Sequence, residues 1–386
     1  MPSLADVLRR HGEEYLRRYG SAVLPSHARA IRDVVRCRTP ALGGHVASCT
    51  GCGKEHVLYH SCRNRACPRC GLDTTTRWLQ RQRDLLLPVR YFHVVFTLPD
   101  ELRLVVRSQQ RALLPVLFRA AFDSLATLCR DPRWVGGRIG ALAVLHTWTR
   151  TLEWHPHVHM LVPAGGLGED GRTWLEPRKR RVQFLVPVKL LSARFRARFL
   201  ELARRAVGDA LPVVPTRKRW VVYCKPTVQG AERVLEYLGR YVHRTALSDK
   251  AILSYDDATV SFAYWSSSTN ERKVMTLPAM EFLRRFLQHV PAKGMHRVRA
   301  FGLLHPSHRI ELRRVQLLLG AVSERDVTES RPMKPKRRCP SCKNGELQLG
   351  RRLTADECVQ RVGAPTAQSP GVARGPPPAA EVCRCA

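Results

Sequence analysis

Leu4, Val7, Leu8, Tyr15 and Leu16 recur at helical spacing, so the chain opens on an amphipathic helix with one apolar face. "WLQRQRDLLL" (78–87) continues the helical period. "RYFHVVFTLPDELR" then switches to a β-rich run that Pro99 ends, and a helix opens at Asp100. A long helical stretch covers roughly Val105 to Cys129. "GRIGALAVLHTWTRTLEWHPHVHMLVPAGG" reads as two strands, Ala141–Thr149 and His155–Val162, joined by a short turn and closed by Gly165 and Gly166. Residues 186–208 are helical and basic, "RWVVYCKP" is a strand, and a helix runs from about Gly230 to Arg244. "AILSYDDATVSFAYWS" is a β-hairpin. Strands and helices alternate without the rhythm of a parallel sheet, which predicts an α+β domain around a mainly antiparallel sheet. There is no internal repeat.

The expected organisation along the chain is a helical N-terminal segment (1–36), a small cysteine-rich module (37–75), a main α+β domain (76–300), a basic C-terminal segment (301–360) and a tail (361–386). The tail contains "APTAQSPGVARGPPPAA", which has the Pro/Gly/Ala composition of disorder.

Charge narrows the partner. Sixty-five Lys and Arg against thirty-two Asp and Glu in 386 residues give +33 and a sequence pI near 10.7. An enzyme for small neutral molecules has no use for such a field; a protein that tracks phosphates does, so nucleic acid is the expected partner. No segment approaches the eighteen apolar residues of a membrane span, and Glu13 and Glu14 exclude a secretory signal, so a cytoplasmic location is expected.

Thirteen cysteines in a reducing compartment point to metal rather than disulfides. Cys49-x2-Cys52 and Cys67-x2-Cys70 are two knuckle pairs, and two tight C-x2-C turns can complete one zinc tetrahedron. Cys37, Cys62, His45, His56 and His60 remain for a second ion, with Cys37 and Cys62 the better candidates. Arg63, Arg65 and Arg69 lie among these ligands and suit a basic DNA-binding module. Cys339-x2-Cys342 looks like half of another ribbon that Cys358, Cys383 or Cys385 could complete. Cys129 and Cys224 read as core.

On the strand "HPHVHMLV" the side chains alternate, so His157 and His159 share a face with His155, while Val158 and Met160 point into the core. Two imidazoles so placed can chelate a metal. His146 supplies a third ligand if its strand pairs as a hairpin, and Glu153 in the turn is the other candidate. A metal beside a phosphodiester orients the phosphate but still needs a nucleophile. Tyr237 and Tyr241 stand four apart on the helix, about 6 Å along its axis. Arg233, Arg240 and Arg244 flank them and can neutralise phosphate. Gly239 clears space beside both rings at a helix cost of roughly 1 kcal/mol relative to Ala.

Together, "CRTPALGGHVASCTGCG", "SCRNRACPRC", "HVVFTLPDELR", "LHTWTRTLEWHPHVHMLVPAGG", "YLGRYVHRTALS" and "RVRAFGLL" resemble the rolling-circle insertion-sequence transposases of the two-tyrosine HUH (histidine–hydrophobic–histidine) class, the IS91 family. The similarity extends to about residue 350. It implies an HUH endonuclease-type central antiparallel sheet flanked by helices and preceded by a small zinc-ribbon-like domain. It also implies that His157 and His159 hold magnesium or manganese, and that Tyr237 and Tyr241 are the paired nucleophiles. One tyrosine would attack single-stranded DNA at a transposon end, forming a 5′-phosphotyrosine and freeing a 3′-OH, so joining needs no ATP. Three departures stand out: Thr149-Arg150 where a Gly-Gln pair is usual, Ala66 where a histidine is common, and His60 where an asparagine is common. Imidazole suits softer ions than magnesium, so water and substrate phosphate would supply the remaining oxygens. The expected function is transposition by cleaving and rejoining DNA, with a homo-oligomer as a further expectation. A plasmid or phage replication initiator, an inert zinc-dependent DNA-binding protein, and a hydrolase using activated water are the alternatives.

Overall fold

The pair of strands that carries the histidines is the spine of an all-antiparallel five-stranded sheet. The structure, a computed structural model, describes residues 2–70, 78–79, 82–83, 85–177, 185–214, 219–227, 233, 235, 239, 246–266, 269–320 and 337–362. The chain divides into two units. One comprises Met1–Gly71, Leu247–Val290 and Arg325–Ala386; the other comprises Leu72–Ala246 and Pro291–Glu324.

In the first unit, helix α1 (Leu4–Tyr19) starts at a capping box. The Ser3 side chain accepts from the Asp6 backbone N–H, while the Asp6 carboxylate accepts from that of Ser3. Leu4, Val7, Leu8 and Tyr15 are buried, as the pattern predicts. Helix α2 (Pro25–Arg36) has proline at its first turn, where a missing N–H costs nothing. Strands β1 (Gly44–Cys49) and β2 (Glu55–Tyr59) pair as a hairpin. The segment "AILSYDDATVSFAYWS" forms the predicted antiparallel pair, here Ile252–Tyr255 with Thr259–Trp265, and Arg272–Pro278 adds a third strand. A strand from far along the chain, Leu347–Leu353, lies on the free edge of β1, opposite β2.

The second unit holds β3 (Tyr91–Thr97), β4 (Gly140–Trp148), β5 (Trp154–Pro163), β6 (Val222–Pro226) and β7 (Val298–Gly302), in the order β7-β4-β5-β3-β6. Two-residue alternation sorts these strands into two faces. Phe92, Val94 and Phe96, Ala141, Ala143 and Leu145, and Val158, Met160 and Val162 enter one core. Helices α4 (Gln110–Arg130) and α5 (Val188–Val207) close over that core with Leu117, Phe118, Leu125, Phe195 and Phe199; the short helix α3 (Arg103–Ser108) precedes them. Leu142, Val144 and Leu161, from the alternate positions, belong to a second cluster with Leu303, Leu312 and Val315. The histidines stand on this second face.

Two expectations need correcting. The helical run from Val105 breaks at Gln109, whose backbone leaves the helical region, so α3 and α4 are separate helices. And one helix among the described residues, α4, is in fact long and apolar enough to cross a membrane by length and composition; its apolar side chains lie in the core. The tail from residue 363 and most of the run 228–245 lie outside the described residues.

Phe195 is fully buried, with ring centroids 5.0 Å from Phe96 and 5.3 Å from Trp220. Phe195→Ala is expected to cost about 3–5 kcal/mol, because the emptied space cannot refill. Urea unfolding monitored by tryptophan fluorescence reads this as a lower midpoint.

Candidate active site and cysteine clusters

Strands β4 and β5 pair so that His146 lies directly opposite His157, and Trp148 opposite Trp154. His159, two residues on, is on the same face. One ring nitrogen from each of His146, His157 and His159 lies within 4.8 Å of the others, so the hairpin expectation for His146 holds. Ring centroids are 4.2 Å apart for His146–His159, 4.9 Å for His157–His159 and 5.2 Å for His146–His157. Val158 and Met160, between and beyond the ligands, are fully buried in the opposite core. They fix the strand from behind.

The surroundings keep His157 and His159 neutral. Burial pushes His157 down to about 4 and His159 well below the ordinary histidine range. A neutral ring is the form that binds a metal. The His155 carbonyl lies 2.7 Å from His157 Nδ1, which donates to it and leaves the lone pair on Nε2. His159 Nδ1 is 2.9 Å from His93 Nε2, and the two rings stack nearly parallel. His93, half-buried and pushed down to about 4 by desolvation, holds one nitrogen of His159 and so directs the other. Three converging imidazoles, His146 and His159 buried and His157 half-buried, suit a divalent ion.

Not every expected residue joins the cluster. His155 faces the guanidinium of Arg103, whose Nη2 lies 2.8 Å from its Nδ1, and is left out of the converging set. Glu153 is exposed in the turn and is also left out. Arg150 lies in the same turn, exposed. Tyr237, Tyr241, Arg240 and Arg244 lie outside the described residues. Around them, Leu235 is buried in the cluster that contains Leu142, Val144 and Leu161, on the histidine face. Gly239 is buried, and a Cβ there would come within 2.5 Å of the Leu79 side chain. Arg233 is exposed.

The cysteines assemble differently from the expectation of two knuckles around one ion. Cys67 and Cys70 converge with Cys37 and Cys62; Cys49 and Cys52 lie instead beside Cys339 and Cys342. In the first group Cys70 Sγ is 3.4 Å from that of Cys37 and 3.5 Å from that of Cys62. These spacings are close to the about 3.8 Å edge of a tetrahedron built on Zn–S bonds of about 2.3 Å. Arg63 and Arg65 are exposed beside this group. Arg69 is not free for phosphate: it reaches Asp249 at 3.3 Å and Ser3 Oγ at 2.9 Å.

Sequence reasoning missed His93 and the partnership of Cys49 and Cys52. His93 sits in an apolar strand with no spacing motif, and only the register of β3 against β5 brings it to His159. A lone C-x2-C announces a missing pair without saying which one.

His93→Phe is expected to weaken divalent-ion binding by about 10–100-fold, as loss of an outer partner to a ligating histidine does; calorimetric titration with manganese measures it. Because the neutral form dominates in the fold, the unfolded chain takes up protons first as pH falls. Stability of the chelated protein is therefore expected to decline from pH 6.5 towards 4, and His157→Gln to flatten that decline in urea titrations.

Residues 140–311 match a family model described as "Putative transposase", and residues 7–98 match one described as "Transposase zinc-binding domain". The chain is 38% identical over 378 residues to "Putative transposase y4qJ" of Sinorhizobium fredii, covering 90% of this chain and 94% of that protein. It is 32% identical over 288 residues to the "Transposase for insertion sequence element IS801" of Pseudomonas savastanoi pv. phaseolicola, covering 71% of this chain and 69% of the relative. No solved structure matches. The histidine-bearing sheet falls largely inside the first matched region and the N-terminal cysteines inside the second, and the chain belongs to the IS91 family of insertion-sequence transposases with an N-terminal zinc-binding domain.

Proposed function

We propose that this transposase cleaves and rejoins single-stranded DNA at the ends of its insertion sequence, by rolling-circle transposition through a 5′-phosphotyrosine. The observation that carries the reading is the convergence of His146, His157 and His159 on adjacent strands of an antiparallel sheet. Burial of Leu235 against the histidine face, two residues before Tyr237, supports the same tyrosine segment as the source of the nucleophile.

The phenolic oxygen of Tyr241 attacks the scissile phosphorus. A tyrosine–phosphate bond forms and the bond to the 3′-oxygen breaks; the phenol gives up its proton, and the 3′-oxygen takes one as it leaves as a 3′-OH. The phosphodiester energy stays in the tyrosine ester, so attack by another 3′-OH reverses the step and joins strands without ATP. Tyr237 serves the second transfer while the first end remains bound. His146, His157 and His159 would hold a divalent ion, magnesium or manganese, which would supply Lewis-acid polarisation of the phosphate, with oxygens of water and DNA completing a set that three imidazoles alone would leave softer than magnesium prefers. His93 keeps His159 oriented. Arg233, Arg240 and Arg244, with Arg63 and Arg65 of the zinc module, counter phosphate charge, and the +33 net charge draws DNA in.

The test is incubation with labelled single-stranded DNA carrying the element's end, with magnesium or manganese, read on a denaturing gel. An adduct that survives SDS is expected. Tyr241→Phe is expected to abolish the first adduct, and His157→Ala to slow it at least about a hundredfold, the scale of several kcal/mol of lost charge stabilisation. Cleavage that persists in the Tyr237→Phe/Tyr241→Phe double variant would make water the nucleophile and overturn the reading.

A further inference from the structure

We propose that Cys49, Cys52, Cys339 and Cys342 hold a second structural zinc ion, separate from that of Cys37, Cys62, Cys67 and Cys70. This ion clasps the C-terminal segment onto the N-terminal zinc module.

The sulfurs are spaced for it. Cys49 Sγ lies 3.6 Å from Cys342 Sγ, and Cys52 Sγ 3.8 Å from Cys339 Sγ, although the paired residues are 293 and 287 positions apart in sequence. These are edge lengths of a zinc–thiolate tetrahedron, about 3.8 Å, and far longer than the roughly 2.05 Å of a disulfide.

The two turns are also built alike. In the first, the Gly53 N–H donates to the Cys49 carbonyl at 3.0 Å; in the second, the Lys343 N–H donates to the Cys339 carbonyl at 2.9 Å. The residue after the second cysteine is left-handed in both, Gly53 at φ 71° and Lys343 at φ 61°. Lysine rarely adopts that backbone, so the turn holds it there. Backbone N–H groups point at sulfur in both turns: Gly51 and Cys52 reach Cys49 Sγ at 3.3 and 3.4 Å, and Gly345 reaches Cys342 Sγ at 3.3 Å. Donors aimed at sulfur favour the thiolate, which is the metal-binding form.

The turns interlock. The Thr50 N–H donates to the Glu346 carbonyl at 3.0 Å, and the Glu346 N–H donates to Thr50 Oγ1 at 3.0 Å. A Cβ on Gly345 would come within 2.3 Å of Cys49 Sγ, so this approach requires glycine. His56 Nε2 lies 3.4 Å from Cys339 Sγ, where a ring N–H can support the thiolate from outside the tetrahedron. Core packing does not explain the four thiols, since Cys52 is exposed and Cys342 half-exposed. Leu347–Leu353 then continues from the second turn as the strand that pairs with β1. The ion thus ties together two stretches of the first unit that lie almost three hundred residues apart in sequence, and a chain ending before Cys339 lacks half of this site.

The test is zinc content per chain in the purified full-length protein, by plasma mass spectrometry. Cys339→Ser/Cys342→Ser is expected to lower it by one ion, Cys49→Ser/Cys52→Ser by one ion, and the quadruple variant by one ion rather than two. Adding Cys37→Ser/Cys62→Ser to the quadruple variant is expected to remove one more. No loss with Cys339→Ser/Cys342→Ser, or loss of two ions in the quadruple variant, would overturn the proposal. Serine variants can also unfold the module, so Cys342→His tests the same point with a side chain that still ligates. In cobalt-substituted protein it is expected to shift the visible bands of one tetrahedral site and leave the other. An unchanged spectrum would overturn the proposal.

Discussion

The register of two neighbouring strands governs the site. β4 and β5 pair with His146 opposite His157, and the two-residue period of the strand then puts His159 on the same face and Val158 and Met160 behind it. A slip of one residue would exchange the faces, driving two imidazoles into the apolar core and two apolar side chains into the site. Burial of Val158 and Met160, worth roughly 1.5–3 kcal/mol each, therefore holds the three histidines in place as much as it holds the sheet together. The helices over that core, α4 and α5, place Leu117, Phe118, Leu125, Phe195 and Phe199 against the face opposite the histidines.

The same burial sets the chemistry. Taking a histidine out of water disfavours its charged form, so His157 and His159 sit ready as neutral donors. His93 adds direction by holding one nitrogen of His159. The zinc-binding module works by the opposite logic, with thiolates stabilised by backbone N–H groups and by metal rather than by a large apolar interior. Its three-stranded sheet takes two strands from the N-terminal stretch and one from near the C-terminus, and the cysteine pairs divide in the same way.

Much of this was legible in the sequence. The alternation in "HPHVHMLV" and "ALAVLHTW" gave both strands to within about a residue or two at each end, their pairing, the shared face of His157 and His159, and the place of His146 beside them. The C-x2-C spacings gave the cysteine turns, and the helical period gave the buried face of α1. What failed were statements that depend on long-range contact. His155 matches the alternation as well as His157 does, but Arg103, from a helix about fifty residues earlier, occupies it. Cys49 and Cys52 look paired with Cys67 and Cys70 because these are near in sequence. The actual neighbours arrive almost three hundred residues later, by way of a strand added to the sheet edge. Arg69 reads as a phosphate contact until Asp249 and Ser3 are seen to hold it.

Whether His146, His157 and His159 share one ion is the point on which the catalytic account turns. Anomalous diffraction from crystals of the full-length protein soaked in manganese measures it directly. The account expects one strong peak within coordination distance of a ring nitrogen from each of the three histidines, lost in His157→Ala crystals. Manganese bound elsewhere, with no peak among the three rings, would contradict it.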